Sequence, residues 1–263
     1  MGWLAAQGVR PYAYISTRQV WGNEREFHHY GSTLNAIPVL DHYKAFPARQ
    51  HLLKLGSCAL MGHLSLHAPS GAASMAWHGD PALLKRDAYS GDYGIGMYGY
   101  WRSAGAYLGC APPHGWLCAF CQIQPDSAAS ASAAAECSGA VSGAVQDPFG
   151  RRVYLAPLGL SASVEGAVIQ TFELSADHRQ LVLTLTPHDK APSRSATLSL
   201  SVPRVEPPPI APVGSFVVRC VGQEADAGAG CVQRGGAPGS PAGEYLIAMP
   251  SPGGTARKLL ISV

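Results

Sequence analysis

The chain has 263 residues, of which 19 are basic and 17 acidic, so its formal net charge at pH 7 is only +2. Charged residues make up 14% of the sequence, whereas glycine and proline number 30 and 21. This composition favours β-structure and long loops over helices with salt-bridged surfaces. The scattered basic residues predict no nucleic-acid partner, and no window approaches the roughly 18 consecutive apolar residues of a membrane-spanning helix.

Helices are predicted in the first part of the chain. One opens at Asn35, which can cap the free backbone N–H groups, and it carries Pro38 in its first turn, where no intrahelical donor is lost. A second runs from residue 47 to about 66, with Leu53 and Leu60 in a helical stripe of apolar side chains. Both helices are expected to bury a wide apolar face.

A third helix is predicted over residues 94–108, with Gly96 and Gly99 inside it. Each internal glycine costs a helix roughly 0.5–1 kcal/mol relative to alanine, so these two indicate the close approach of another backbone. The three helices carry more apolar surface than they are expected to bury among themselves. Residues 1–110 are therefore predicted to be part of a larger helical assembly.

The hydrophobic period changes to two in the second half, where Ala196, Leu198 and Leu200 alternate with hydroxylated residues. The residues 175–179 read as a hairpin connection between two strands. Strands are predicted at 116–123, 151–164, 167–174, 180–186, 196–202, 215–221, 244–249 and 258–263. Regularly spaced strands with Pro and Gly between them predict an antiparallel β-sandwich over residues 111–263.

Two stretches are interpreted as insertions in that sandwich. Residues 127–135 are almost entirely Ala and Ser, and residues 225–243 are rich in Gly, Pro and Ala. Neither has much to bury, so both are predicted to be mobile surface loops. An Ala-rich helix is the alternative for the first stretch.

The seven cysteines are an odd number, so they cannot all pair within the chain. Cys118 and Cys121 form a C-x-x-C motif, for which a zinc or redox site is one hypothesis. Because no second ligand pair accompanies the motif and the surrounding run is apolar, buried free thiols are favoured. Cys220 and Cys231 flank a Gly-rich loop and are candidates for a disulfide in an oxidising compartment. No metal or other cofactor is expected.

Polar and aromatic side chains concentrate in loops at 24–32, 77–80 and 87–94. Sites that process sugars use this mixture, with one carboxylic acid to protonate the leaving oxygen, a second carboxylate, and flat rings against the sugar. Asp92 is the sharpest candidate because it lies at a predicted helix entrance, although a helix cap is the alternative for it. His28 and His29 can equally be a structural pair that bonds backbone carbonyls.

Residues 94–99 match the G-x-G-x-x-G pattern of dinucleotide-binding proteins. The match lacks a preceding strand, a following βαβ pattern and an acidic residue about 20 positions further on. No nucleotide site is predicted from it.

Three phrases together resemble a known family: HHYGSTLNAIP at residues 28–38, DAYSGDYG at 87–94 and RVYLAPLGL at 152–160. The family consists of large microbial and fungal secreted proteins built like glycoside hydrolases, with an (α/α) toroid followed by a β-sandwich. The likeness spans roughly residues 20–200 and is to the C-terminal third of those proteins. It implies an α+β multidomain fold in which residues 1–110 are the closing helices of a toroid.

The same resemblance implies a saccharide cleft lined by the polar loops, with carbohydrate as the partner. Our hypothesis assigns Asp92 as general acid and Asp87 as base or nucleophile. The predicted substrate-binding residues are His28, His29, Tyr30, Trp77, His78, Tyr89 and Tyr93. A partial toroid lacks a complete cleft, which argues against activity of the isolated chain. The alternative is a non-catalytic carbohydrate-binding or structural β-sandwich module.

The localisation expected from the residues differs from the one that the resemblance implies. The start MGWLAAQ is too short and too quickly polar for a secretion signal, which taken literally predicts a cytosolic chain. The resemblance implies a secreted parent protein.

Overall fold

The computed structural model describes residues 30–64, 92–125, 137–188, 195–203, 217–221, 232–235, 243–249 and 256–262. These residues fall into two compact units. The first contains the residues up to Tyr43 together with Arg49–Ala104, and the second contains Lys44–Ala48 together with the residues from Gly105 onward. The α-helices lie in the first unit, apart from the last two residues of the first helix, and the strands lie in the second.

Three helices occur in the described residues: α1 (Tyr30–Ala45), α2 (Gln50–Leu64) and α3 (Asp92–Ser103). Helix α1 begins five residues before Asn35, so the prediction that Asn35 caps it is wrong. Pro38 instead lies inside the helix on its exposed side. The buried side of α1 carries Ala36 and Leu40, which are fully buried.

The helices of the first unit pack closely because small residues lie where they cross. A Cβ atom at Gly56 of α2 would collide with the side chain of Leu40 of α1. A Cβ atom at Gly99 of α3 would come within 2.6 Å of the carbonyl carbon of Thr33 in α1. The close backbone approach that the glycines of the third helix predict is confirmed at Gly99.

The predicted toroid is wrong. The described part of the chain is mostly β-sheet, with only these three α-helices, and no ring of helices is present in it. The helices contact one another through small residues at Gly56 and Gly99. Met61, Tyr98 and Trp101 are large apolar side chains that remain exposed on them.

The second unit contains all the strands of the described residues. Their bounds are β1 (Ala106–Cys110), β2 (Trp116–Ala119), β3 (Cys121–Pro125), β4 (Val141–Val145), β5 (Arg152–Leu155), β6 (Leu160–Glu165), β7 (Ala167–Leu174), β8 (Gln180–Pro187), β9 (Ser195–Ser201), β10 (Val217–Val221), β11 (Val232–Gly235), β12 (Gly243–Ala248) and β13 (Arg257–Ser262). A short 3₁₀ helix, Ala156–Leu158, joins β5 to β6.

The strands form two sheets. The seven-stranded sheet has the order β11-β12-β9-β6-β5-β1-β2, and the six-stranded sheet has the order β10-β13-β8-β7-β4-β3. Strands β1 and β5 pair in parallel, whereas the other neighbouring strands in the described residues pair antiparallel. The predicted β-sandwich is therefore confirmed, and the parallel pair of β1 with β5 departs from its predicted antiparallel arrangement.

Apolar side chains of both sheets fill one core. Strand β8 places Leu181, Leu183 and Leu185 there with no exposed surface, and β7 adds Phe172. In the seven-stranded sheet, alternate residues of β9 point inward, as the sequence predicts, and Leu198 is fully buried. Burying side chains of this size contributes roughly 1.5–3 kcal/mol each.

The predicted third helix ends too late. Helix α3 stops at Ser103, and residues 106–110 form β1 instead. Strand β1 lies between β5 and β2, so its backbone groups are paired on both sides. That pairing outweighs the local pattern that predicts a helix up to residue 108, because strand formation depends on tertiary context.

The boundaries of the strands follow the sequence closely in β7 and β8, and their hairpin at 175–179 is confirmed by the hydrogen bond from the Ser175 N–H to the Gln180 carbonyl. The prediction of a loop throughout 225–243 is wrong, because β11 lies within it and pairs with β12. An edge strand needs only one neighbour, so it leaves little apolar pattern in the sequence. Residues 127–135 lie outside the described residues.

The predicted single strand at 116–123 is two strands in different sheets. Strand β2 is the last strand of the seven-stranded sheet, and β3 is the last strand of the six-stranded sheet. Phe120 joins them with φ at 56°, in the left-handed region. This conformation is uncommon for a bulky residue, so the pattern of apolar residues gave no sign of the turn.

Candidate ligand-binding groove

The structure describes three of the nine residues predicted for the saccharide site. Helix α3 begins at Asp92 with Tyr93 next to it, in agreement with the prediction that Asp92 lies at a helix entrance, and Tyr30 is the first residue of α1. The remaining predicted residues lie outside the described residues: Asp87, His28, His29, Trp77, His78 and Tyr89. The hydrolase site therefore stays a prediction.

A groove of about 330 Å³ lies on the outer face of the six-stranded sheet. It crosses strands β3, β4 and β7, which are neighbours in that sheet. Its lining consists of polar and small side chains: Gln122, Gln124, Ser142, Gly143, Ala144, Thr171 and Glu173.

The strand register explains why the surface is concave there. Ser142 of β4 pairs with Gln124 of β3 on one side and with Glu173 of β7 on the other. One row along the strands, Ala144 pairs with Gln122 and with Thr171. Because the middle strand carries the smallest side chains of each row, the longer ones of its neighbours rise as two walls.

A β-bulge in β7 turns the Thr171 side chain, which is part of the second wall, toward the outer face. The pairing of β7 with β8 shifts between Ile169 and Thr171, where Gln170 is the extra residue. Ile169 and Phe172 are both buried, so the two residues between them face outward. Without this bulge, strict alternation would turn Thr171 toward the core.

Hydrogen bonds in the groove are long and near the surface. The Ser142 hydroxyl donates to the Gln124 carbonyl over 3.4 Å, and the Gln146 amide donates to the Gln122 side-chain oxygen over 3.4 Å. Bonds at this length are weak. A ligand can replace them at little cost.

Charge in the groove is confined to one edge. The Glu173 carboxylate lies 3.6 Å from the Lys258 ammonium, and both side chains are about half exposed. A pair this exposed is worth about 0–1 kcal/mol, because solvent screens it. Its main effect is to hold the Glu173 side chain toward β13 at the rim.

A family model matches residues 9–207 of the chain and describes a family of unknown function, DUF5695. The chain belongs to this family. Neither the curated proteins nor the solved structures contain a significant match to the sequence. The region that matches DUF5695 contains all seven residues that line the groove, whereas Lys258 lies beyond it.

Sequence reasoning missed the groove of this DUF5695 chain because its walls come from strands that are distant along the sequence. Gln122 and Thr171 face each other only after β4 is inserted between their strands. The available signal is the polar alternation of Gln122 and Gln124, of which only Gln122 falls in the apolar strand predicted at 116–123. The pairing partners of β3 could not be deduced from it.

The cysteine prediction is also corrected. Cys118 and Cys121 form a disulfide with their Cα atoms 5.7 Å apart, and Cys110 forms one with Cys137. The turn at Phe120 is the reason, because in one straight strand residues three apart point to opposite faces. Cys220 is disulfide-bonded, while Cys231 lies outside the described residues.

Other groups add little support for metal or membrane binding. In the parts of the chain that the structure describes, no three His, Cys, Asp or Glu side chains converge as metal ligands. None of the described helices is long and apolar enough to cross a membrane.

Cys58 is a free, partly buried thiol, and burial raises its pKa.

The first unit carries an exposed pair of aromatic rings on α3. Tyr98 and Trp101 are 55% and 40% exposed, and their ring centroids lie 6.4 Å apart. Exposed rings of this kind can stack on the apolar face of a sugar. The pair is therefore the natural competitor of the groove in any binding experiment.

His178 is expected to titrate below its ordinary pH range. Burial lowers its pKa, while a hydrogen bond with the Gly139 backbone and the nearby Asp177 carboxylate act in the opposite direction. The ring packs edge-on against Trp116, with centroids 5.7 Å apart. As the pH falls, the unfolded chain therefore takes up a proton at His178 before the folded chain does. The contribution of His178 to the free energy of unfolding decreases as the pH drops from its unfolded-state pKa toward its folded-state pKa.

NMR titration of the His178 ring checks this prediction against the same residue in the urea-unfolded chain. His178→Gln is the matched control, and it should remove that part of the pH dependence of unfolding. Equal pKa values in the folded and unfolded chains would contradict the prediction.

Proposed function

We propose that this protein is a non-catalytic carbohydrate-binding protein, in which the sandwich is the functional unit and the saccharide lies in the groove across β3, β4 and β7. The observation that supports the proposal is the combination of concave shape and uncharged hydrogen-bonding side chains in one place. Two disulfides add support for a secreted protein, since disulfides persist in oxidising compartments.

The chemistry of the lining suits a ligand with many hydroxyl groups. The side-chain amides of Gln122 and Gln124 each offer two donors and an acceptor, and the hydroxyls of Ser142 and Thr171 serve as both donor and acceptor. Sugar hydroxyls are likewise both donors and acceptors. Such a ligand can satisfy the groove without leaving a buried charge unpaired.

The charge of the groove favours neutral saccharides over acidic ones. Glu173 is the one carboxylate among the described lining residues, and no cationic side chain lines the groove with it. A uronate or sulfate placed there would lie beside Glu173 and be repelled, although the Lys258 ammonium 3.6 Å from that carboxylate offsets part of the repulsion. Like-charge contacts of this kind act as selection against the wrong ligand.

Hydrolysis is not supported by this groove. Glycosidases use two carboxyl groups on either side of the scissile bond, about 5–10 Å apart, and the described lining offers one. The hypothesis that Asp92 and Asp87 catalyse hydrolysis concerns other parts of the chain and stays a prediction. Binding without turnover is the expected behaviour of the groove.

The test is binding of the purified chain to a glycan array, followed by calorimetry with the best neutral oligosaccharide. Gln122→Ala combined with Gln124→Ala is expected to weaken binding at least about fivefold, because each lost hydrogen bond contributes about 0.5–1.5 kcal/mol. Gln170→Ala is the matched control, since Gln170 is exposed on β7 outside the lining. It should bind as the unchanged chain does.

Two results would overturn the proposal. One is unaltered binding in a folded Gln122→Ala, Gln124→Ala variant. The other is loss of binding in Trp101→Ala with the groove variant unaffected, which would move the site to the rings of α3. Release of reducing sugar from the ligand would instead favour the hydrolase hypothesis.

A further inference from the structure

We infer that the Cys118–Cys121 disulfide is a thiol–disulfide exchange site, which accepts electrons from a dithiol reductant and thereby releases strand β3. The inference does not depend on what the groove binds. It starts from where the two cysteines lie, at the ends of β2 and β3 where the chain passes from one sheet to the other.

The disulfide is accessible because both strands are edges. Strand β2 ends the seven-stranded sheet and β3 ends the six-stranded sheet, so the bond spans one open side of the sandwich. Both cysteines keep part of their surface exposed. In the other disulfide Cys110 is partly exposed, but Cys137 is only 4% exposed. Exchange requires that a thiolate reach one sulfur, so access favours the first bond.

The short spacing favours exchange over stabilisation. The Cys118–Cys121 bond closes a loop with a sequence separation of 3, whereas the separation in Cys110–Cys137 is 27. A crosslink stabilises mainly by restricting the unfolded chain, and this effect grows with loop length. Phe120, inside this loop, has a left-handed conformation, which is unfavourable for such a residue, and its carbonyl accepts a hydrogen bond from the Gln146 N–H. Opening the disulfide removes one of the restraints on this turn.

The exchange step balances with a dithiol as the co-reactant. A reductant thiolate attacks one sulfur of the pair, forming a mixed disulfide and releasing the other cysteine as a thiolate, which takes up a proton. The second thiol of the reductant then attacks the mixed disulfide and releases the first cysteine. The protein gains two thiols and the dithiol becomes a disulfide.

Reduction should act on β3 directly. Cys121 is the first residue of β3, and Gln122 and Gln124 follow it in the same strand. Strand β3 has one hydrogen-bonded neighbour, β4, and its Cys121 and Ile123 side chains pack against the core. The disulfide is therefore one of three restraints on β3, and opening it leaves the ladder and the core packing to hold the strand.

The experiment titrates the native chain with dithiothreitol, traps free thiols with iodoacetamide and maps them by mass spectrometry. Cys118 and Cys121 are expected to be trapped at dithiol concentrations at least about tenfold lower than Cys110 and Cys137. Hydrogen exchange on the selectively reduced chain should become faster in residues 121–125 and stay unchanged in β8.

A variant with Cys110→Ser and Cys137→Ser leaves the proposed site as the only one of these two disulfides, and its reduction should follow the same titration. Reduction of both disulfides together, or of Cys110–Cys137 first, would overturn the inference. Unchanged exchange in β3 after selective reduction would overturn the release of that strand.

Discussion

Phe172→Ala is expected to lower the free energy of unfolding of the sandwich by about 3–5 kcal/mol, the range found when a buried aromatic side chain is truncated. Phe172 has no exposed surface and lies in the core between the two sheets. Its ring also lies against Gly143 of β4, where a Cβ atom would overlap it. Removal of the ring therefore leaves a cavity directly beneath the strand that forms the floor of the groove.

Urea unfolding followed by circular dichroism measures this change. Phe172→Leu is the intermediate variant and should cost less, because it leaves a smaller cavity. Leu246→Ala is the surface control, since Leu246 is 47% exposed. A loss from Phe172→Ala no larger than that of the surface control would show that the ring does not occupy the core.

The contact between Phe172 and Gly143 predicts that substitutions at these two residues are energetically coupled. Gly143→Ala alone should destabilise the sandwich by about 1–3 kcal/mol through overpacking. In the double variant with Phe172→Ala, the new methyl group enters the cavity, so the two losses should not add. Neighbouring residues typically show coupling energies of about 0.5–3 kcal/mol, and additive losses would contradict the contact.

Loss of the Cys110–Cys137 disulfide is the second large effect. Replacement of both residues by serine should lower the free energy of unfolding by about 3–4 kcal/mol, from the chain entropy of a loop of this length. The same replacement of Cys118 and Cys121 should cost only about 2 kcal/mol, because their loop is so short. The bond at Cys110 connects strand β1 to the segment that leads into β4.

Thermal or urea unfolding of the two serine pairs, compared side by side under oxidising conditions, checks the order of these effects. Each variant serves as the control for the other, because both replace two half-cystines by the same residue. A larger loss at Cys118 and Cys121 than at Cys110 and Cys137 would contradict the loop-length argument.

The strands that could be predicted from the sequence are those with a clear apolar alternation. Leu181, Leu183 and Leu185 repeat every second residue and all point into the core, so β8 and its hairpin to β7 follow from the pattern. Gly99 likewise indicates a close helix contact, because glycine is costly in a helix unless space requires it.

The features that could not be predicted depend on pairing between distant segments. Residues 106–110 look helical until β5 and β2 are placed beside them. The groove requires Gln122, Ala144 and Thr171 to lie in one row, and the bulge at Gln170 shifts the alternation of β7. Local sequence patterns indicate neither the pairing of residues 106–110 nor the row of groove residues, because register is a property of two strands together.

The order of the strands limits where the chain can be cut without removing strands from both sheets. The chain passes repeatedly between the two sheets, so neither sheet is a continuous piece of sequence. Strands β12 and β13, which lie beyond the matched region ending at 207, pair with β9 and β8. A chain cut at residue 207 would leave the backbone of β8 and β9 without these neighbours, and uncovered strand edges promote association between molecules. The boundary of the sequence family is thus not the boundary of a unit that can be expected to fold.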